Sequence, residues 1–508
     1  MNQENIWNSY SPKQCRELEE LSAAYRDFLD NGKTERECVV EAIRLAKAKG
    51  YVDLEEVKKS GRQLQSGDKV YAVCMKKAIA LFQLGTAPMK EGMRILGAHI
   101  DSPRLDLKQN PLYEDTELAY LDTHYYGGVK KYQWVTIPLA IHGVVAKKDG
   151  TLTQITIGEK EDDPVFCITD LLIHLSGTQL DKKAKVVIEG EDLDLLIGSR
   201  PLKGDTDSSG DNGQDTEEEK GNGKKENEKK KDAVKAHILK LLKENYGLEE
   251  EDFLSAELEI VPAGKARDCG LDRSMVAGYG QDDRVCGYTS LAALLETEAQ
   301  THTCCCLLVD KEEIGSVGAT GMQSRFFENT TAELMNAMGQ YSELDLRRCL
   351  SSSKMLSSDV SAAYDPLYAS AFEKKNTAYF GKGLVFNKYT GSAGKSRSND
   401  ANAEYMGWIR NIMEKGNDGA TTSCHISVTY DRKIDILGTC ISICRNKQLV
   451  RYQLGAAIEI HRIHRLICGK GNHLLNVRIK GCIDHILGTV DICLNRFVWI
   501  VFTRRHLL

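Results

Sequence analysis

The chain has 508 residues, a net charge of −6, 42% hydrophobic and 28% charged residues. These are the proportions of a soluble globular protein, and the length calls for two domains or one domain with a large insertion. So small a charge gives no reason to expect nucleic acid or an acidic membrane surface as partner. No stretch reaches the roughly 20 apolar residues of a membrane helix, and the first 20 residues do not read as a secretory signal.

From the amino end, CRELEELSAAYRDFLDNG (15–32) and ECVVEAIRLAKAKG (37–50) place apolar residues at helical spacing and stop at glycine. KVYAVCMKKAIALFQLG (69–85) and MRILGAHID (93–101) read as strands feeding a loop. Between about 110 and 250 the texture changes to short strands with turn signals: ITIGEK, AKVVIEG and DLLIGS. Within it, 204–232 is charged and almost free of apolar residues, which predicts a disordered loop. Helix and strand alternate again from LSAELEIVPAG (254–264) onward. VCGYTSLAALLETEAQ is a helix, CCCLLVDKEE a strand, ENTTAELMNAMGQY a helix and KMLSSDVSAAYDP a strand end. This alternation predicts an α/β domain with a largely parallel core sheet, interrupted by a β-rich insertion. The expected parts are 1–109 and 251–416 for the α/β domain, 110–250 for the insertion, and 417–508 for a segment of different character. The 16 cysteines include Cys304, Cys305 and Cys306 in one apolar run and no CxxC pair with zinc spacing. They read as buried, reduced thiols of a cytoplasmic protein.

Four strand ends are followed at once by acids or imidazole: GAHIDSPRLDLK (97–108), YGQDDRVCGYTS (279–290), LLVDKEEIGSVGATG (307–321) and LSSDVSAAYDP (356–366). In open α/β sheets ligands bind beyond the carboxyl ends of the strands, so His99, Asp101, Asp282, Asp283, Glu312, Glu313 and Asp359 are candidates for one cleft. Imidazole with carboxylates and no thiolate is the donor set of a catalytic rather than a structural zinc site. Asp101, two residues from His99, is placed to orient its ring. Along an extended segment neighbouring side chains point opposite ways, so one of Glu312 and Glu313 ligates a metal while the other faces water as a base. The plain alternatives are a solvated loop for the two glutamates and a helix cap for Asp282-Asp283.

The strings GAHIDSPRLDLK, GYGQDDRVCGYTSL, DKEEIGSVGATGMQS, SSDVSAAYDP and SNDANAEYMGWIR resemble the aspartyl-aminopeptidase-type zinc metallopeptidase family, bacterial branch, over residues 15–415. The resemblance implies a zinc-exopeptidase-like fold, two Zn2+ per subunit, peptide substrates and a homo-oligomer, a dodecamer in the family. It implies His99 and Asp359 on one zinc, Asp282 as the bridging carboxylate, Glu313 on the other zinc, Glu312 as general base and Asp101 as the residue orienting His99. It further implies Lys382 as a substrate contact and His174 as an insertion-domain residue reaching a neighbouring subunit's site.

After Gly416 the likeness stops. The family's glycine-rich stretch and its Met-His-Ser/Ala-Pro motif, which supplies the last ligand of the second zinc, are not found. Residues 417–508 hold 13 Lys and Arg against 6 Asp and Glu, with six of the 12 histidines. We read this tail as out of frame: His461-Arg462-Ile463-His464 is what codons for Thr-Ile-Ala-Tyr-Ile yield when read two bases late. The second zinc site is then weakened unless His461, His464, His473 or His485 replaces the ligand. The alternative outcome is an impaired or inactive subunit. Transcripts carrying one uninterrupted frame would count against a shifted tail.

Overall fold

The computed structural model describes residues 5–202, 232–298, 300–382, 385–389, 401–415, 427–430, 439–441 and 501–504. Apart from Asp232, the expected loop at 204–232 lies outside the described residues, as do His461, His464, His473 and His485. The rest forms two compact units: unit 1 runs to Ser102 and resumes at Lys265, and unit 2 is Pro103–Gly264. The junctions at 102/103 and 264/265 lie outside those expected from sequence, 109/110 and 250/251, for a physical reason. Arg104–Asp115 is one unbroken strand and Ala256–Pro262 pairs with it antiparallel, Glu259 opposite Asp106 and Ile260 opposite Leu105.

Unit 1 comprises α1 (Pro12–Asn31), α2 (Glu35–Lys47), β1 (Val52–Asp53), α3 (Leu54–Ser60), β2 (Lys69–Cys74), β3 (Ala78–Gln83) and β4 (Arg94–His99). After unit 2 come α4 (Gln281–Leu295), β5 (Cys304–Val309), α5 (Phe326–Ala337), α6 (Glu343–Ser352), β6 (Lys354–Ser357) and α7 (Ala403–Lys415), with shorter pieces between. Thr34 and Glu37 form a capping box that fixes where α2 begins, Thr34 Oγ1 accepting from the Glu37 N–H at 3.2 Å.

The core sheet has the order β1-β2-β3-β5-β4-β6. β1/β2, β5/β4 and β4/β6 are parallel, while β2/β3 and β3/β5 are antiparallel. The 69–85 stretch is thus a hairpin, closed by Met75 and Lys76 at φ 48° and 60°, the left-handed pair that matches strand twist. β5 is buried on both faces, which explains its unbroken apolar run. Cys304, Cys306 and Leu308 join Leu96, Ala98 and Leu356 in the core on one side, while Cys305 and Leu307 join Ile95, Leu334 and Leu346 on the other.

Unit 2 holds a seven-stranded sheet, every pairing antiparallel. Its order is Leu152–Ile157, Leu139–Ala146, Ala256–Pro262, Arg104–Asp115, Leu118–Tyr126, Leu195–Gly198, Cys167–Ile168. The stretch AKVVIEG, expected as a strand, is instead a 3-10 turn at Ala184–Val186. The outer edge beside Leu195–Gly198 is already taken by Cys167–Ile168, and Ile188 serves as a core plug. Among the described residues no helix is long and apolar enough to cross a membrane.

Candidate metal centre

β5, β4 and β6 lie side by side and parallel, Val309 opposite His99 and Ser357 opposite Gly97. Their carboxyl ends therefore share one edge of the sheet, the ordinary place for a ligand. His99 ends β4, Asp359 follows β6, and Asp282 sits at the start of α4 with a non-helical backbone, φ −86° and ψ 102°. Their ligand atoms lie within 4.8 Å of one another. His99 Nε2 is 3.2 Å from Asp282 Oδ1 and 3.8 Å from Asp359 Oδ1.

The orientation of His99 follows from its other nitrogen. Nδ1 is 3.0 Å from the Asp101 backbone oxygen and 3.3 Å from Asp101 Oδ1. Both are acceptors, so Nδ1 carries the hydrogen. In the neutral ring Nε2 then aims a lone pair at two carboxylates, buried and without a hydrogen bond among the described residues. That arrangement repels unless positive charge sits between. A proton on Nε2 supplies it, so against the lowering effect of burial, Asp101, Asp282 and Asp359 hold His99 well above its ordinary pKa. A divalent cation supplies it better, with three donors ready and the imidazole tautomer already set. The residues present fit zinc.

Asp101 is fully buried and does a second task. Its Oδ1 accepts the Glu312 N–H at 3.1 Å and its Oδ2 accepts the Glu313 N–H at 3.2 Å. This grip corrects one expectation. Glu312 and Glu313 are not on an extended segment with alternating side chains. They open a 3-10 turn, Glu312–Ile314, entered through Lys311 at φ 71°, because one carboxylate draws both consecutive N–H groups toward itself. The glutamates remain close to the cluster in electrostatic terms. Burial first, then Asp282, Asp101 and Glu312, push Glu313 up to about 9. Burial, then Asp359 and Glu312, raise Asp282 to about 6. Asp283 is wholly buried, and burial is the first reason that its carboxyl is raised well above the usual range.

Two positioning residues escaped the sequence reading. Ser102 Oγ donates to the Asp282 backbone oxygen at 2.7 Å. Arg284, 1% exposed, donates from Nε to the Ile100 oxygen at 3.1 Å and from Nη2 to the Lys33 oxygen at 2.9 Å, stapling the turn after His99 to the start of α4. The staple needs Gly280 (φ +77°), where an added Cβ would lie 1.8 Å from Arg284 Nη1. The only signal was adjacency: Ser102 follows Asp101, and Arg284 follows Asp282-Asp283.

A family model described as aminopeptidase I zinc metalloprotease (M18) matches residues 28–417. The chain belongs to the M18 family of zinc metalloproteases. An M18 relative from Clostridium acetobutylicum, described as a probable M18 family aminopeptidase 1, is 57% identical over 411 residues, 81% of this chain and 83% of its own. The structure of aminopeptidase I from that organism superposes with TM-score 0.72 at 52% identity, over 86% of this chain and 88% of that one. The M18 aminopeptidase of Thermotoga maritima gives TM-score 0.74 at 37% identity, over 90% and 91%. The M18 match ends at residue 417, beside the change of composition noted above. This chain is thus a metalloaminopeptidase of the M18 family, with the α/β fold and β-rich insertion of a zinc exopeptidase.

Two candidates remain, one in each unit. Lys382 is half-buried in unit 1 directly after Gly381, whose φ of +64° turns the chain. His174 is exposed in unit 2, between Leu171, Leu172 and Ile173 on one side and Leu175 on the other, all of them more than half exposed.

Proposed function

We propose that this chain removes single residues from the free amino end of peptides. His99, Asp282 and Asp359 would hold one zinc, and Asp282 with Glu313 a second. The observation that supports this most directly is the buried His99 Nε2, turned toward two carboxylates while Asp101 holds the other ring nitrogen. Bound zinc supplies the Lewis acidity that activates water and polarises the scissile carbonyl. The chain's own groups do the rest. Asp101 holds the His99 tautomer and the Glu312-Glu313 turn. Glu312 takes a proton from the attacking water and returns it to the leaving amine. Lys382 is assigned a substrate contact.

Among the described residues Asp282 and Glu313 are the only candidate ligands for the second ion, so we expect it to leave first. Zinc content per chain, measured alongside hydrolysis of short peptides with free or acetylated amino ends, tests the reading. Cleavage of the free peptides alone is expected, with one zinc lost readily on dialysis. Equal cleavage of acetylated peptides would refute an aminopeptidase.

We further propose that the chain assembles with copies of itself through the 165–180 segment of unit 2. Val165, Leu171, Leu172, Ile173, Leu175 and Leu180 are each more than half exposed there, more apolar surface than one short segment of a monomer ordinarily shows water. His174 would then meet a neighbouring subunit. Ile173→Asp should shift the mass measured by light scattering toward the monomer. An unchanged mass would place the interface elsewhere.

A further inference from the structure

The amino ends of the same strands carry a second polar cluster, roughly 16 Å along β4 from His99. Arg94 opens β4. It lies in register with Cys304 on β5 and with Lys354, the first residue of β6. Residues in register share a face, and on this face α7 packs through Met406 and Ile409, with Tyr405 and Trp408 against them. Arg94 is only 7% exposed. Its Nη1 donates to the Met93 oxygen at 3.2 Å, and its Nε is buried with no hydrogen-bond partner among the described residues. Lys354 Nζ lies 5.9 Å from the ring centre of Tyr405 and 5.6 Å from that of Trp408, two rings stacked on each other. His302, just before β5, holds the Gly92 oxygen at 3.2 Å through Nδ1.

Among the described residues no carboxylate makes an ion pair with Arg94, Lys354 or His302. Arg94 is lowered by burial. Lys354 is lowered by burial and then by Arg94. Burial, then Arg94, then Lys354 push His302 down to about 4. Two charges of one sign side by side, one of them buried with an orphaned donor, are costly to keep without an anion. Aromatic faces offset part of the Lys354 charge, but the Arg94 Nε still needs an acceptor oxygen.

We propose that Arg94 and Lys354 form a binding site for a small doubly charged oxyanion of the phosphate class, bordered by His302 and walled by Tyr405 and Trp408. Arg94 Nε and the Lys354 ammonium are the charge-assisted donors, a pairing that planar guanidinium and phosphate geometry favours. Arg94 forms the floor, and the half-buried Lys354, His302, Tyr405 and Trp408 leave the way in. The site lies at the opposite end of the core strands from the metal centre and uses none of its residues.

The test is calorimetric titration of inorganic phosphate into the zinc-loaded full chain at fixed ionic strength, with acetate titrated in parallel. Saturable phosphate binding is expected, weakened about tenfold in Lys354→Gln, the equivalent of one charge-assisted contact, and lost in Arg94→Met. Acetate should bind far more weakly. Should Arg94→Met fail to fold, Lys354→Gln decides, because its side chain stands at the half-open edge. Phosphate binding equally well to wild type and Lys354→Gln would place the anion at the zinc and overturn the proposal. So would the lack of saturation at tens of millimolar phosphate, or acetate binding as tightly as phosphate.

Discussion

Glu312→Gln is expected to lower kcat by roughly 10² to 10⁴-fold, the ordinary contribution of a general base, with zinc content and Tm at wild-type values. The amide keeps the shape of the side chain and loses only the ability to take a proton. The turn that carries it survives, because Asp101 grips the backbone N–H groups of residues 312 and 313 rather than their side chains. Zinc should bind at least as well. Glu312 is one of the charges that raise Glu313 and Asp282, so removing it eases the ionisation of both. The signature is therefore a loss in kcat with KM and metal content little changed. It is read from steady-state kinetics and metal analysis on the same preparation. A kcat within about threefold of wild type would assign the base to another group, since that is far below what such a base supplies.

Much of the candidate site's placement was legible because its residues sit at strand ends. A strand buried on both faces announces itself as an apolar run, CCCLLV above all, and the residue that ends the run marks the edge of the sheet where ligands bind. Three such ends and one helix start bring His99, Asp359, the two glutamates and Asp282 to one edge. What stayed hidden was whatever depends on the backbone. Arg284 and Ser102 bond to main-chain oxygens, a role open to any long donor or hydroxyl and without sequence period. The 3-10 turn at 312–314 exists because a buried carboxylate more than 200 residues away in the chain accepts two of its N–H groups, and local propensity says nothing of that. The AKVVIEG stretch was misread for a related reason. A short apolar run fits a strand or a plugged turn equally well, and only the occupied sheet edge decides.

Removing zinc should make stability and metal affinity depend on pH in opposite senses. In the metal-free chain Glu313 titrates at about 9 instead of 4.5, and Asp282 at about 6 instead of 3.8. The native state thus holds these protons more tightly than the unfolded state. Their stabilising effect is complete below the ordinary carboxyl range and is lost as pH climbs through the raised values. His99, also raised, acts in the same direction at higher pH. The Tm of zinc-free protein should therefore fall between pH 5 and pH 9, by on the order of 5 °C for a chain of this size. Zinc takes the place of the same protons, so its apparent affinity must rise with pH, about tenfold per unit for each proton displaced. For Glu313 alone that amounts to about 10² to 10³-fold between pH 6 and pH 9. Chelator competition across this range, with thermal scans of the zinc-free and zinc-loaded forms, measures both slopes. An affinity that stays flat from pH 6 to pH 9 would mean that zinc displaces no proton from Glu313, and the second ion would then need its ligands from elsewhere in the chain.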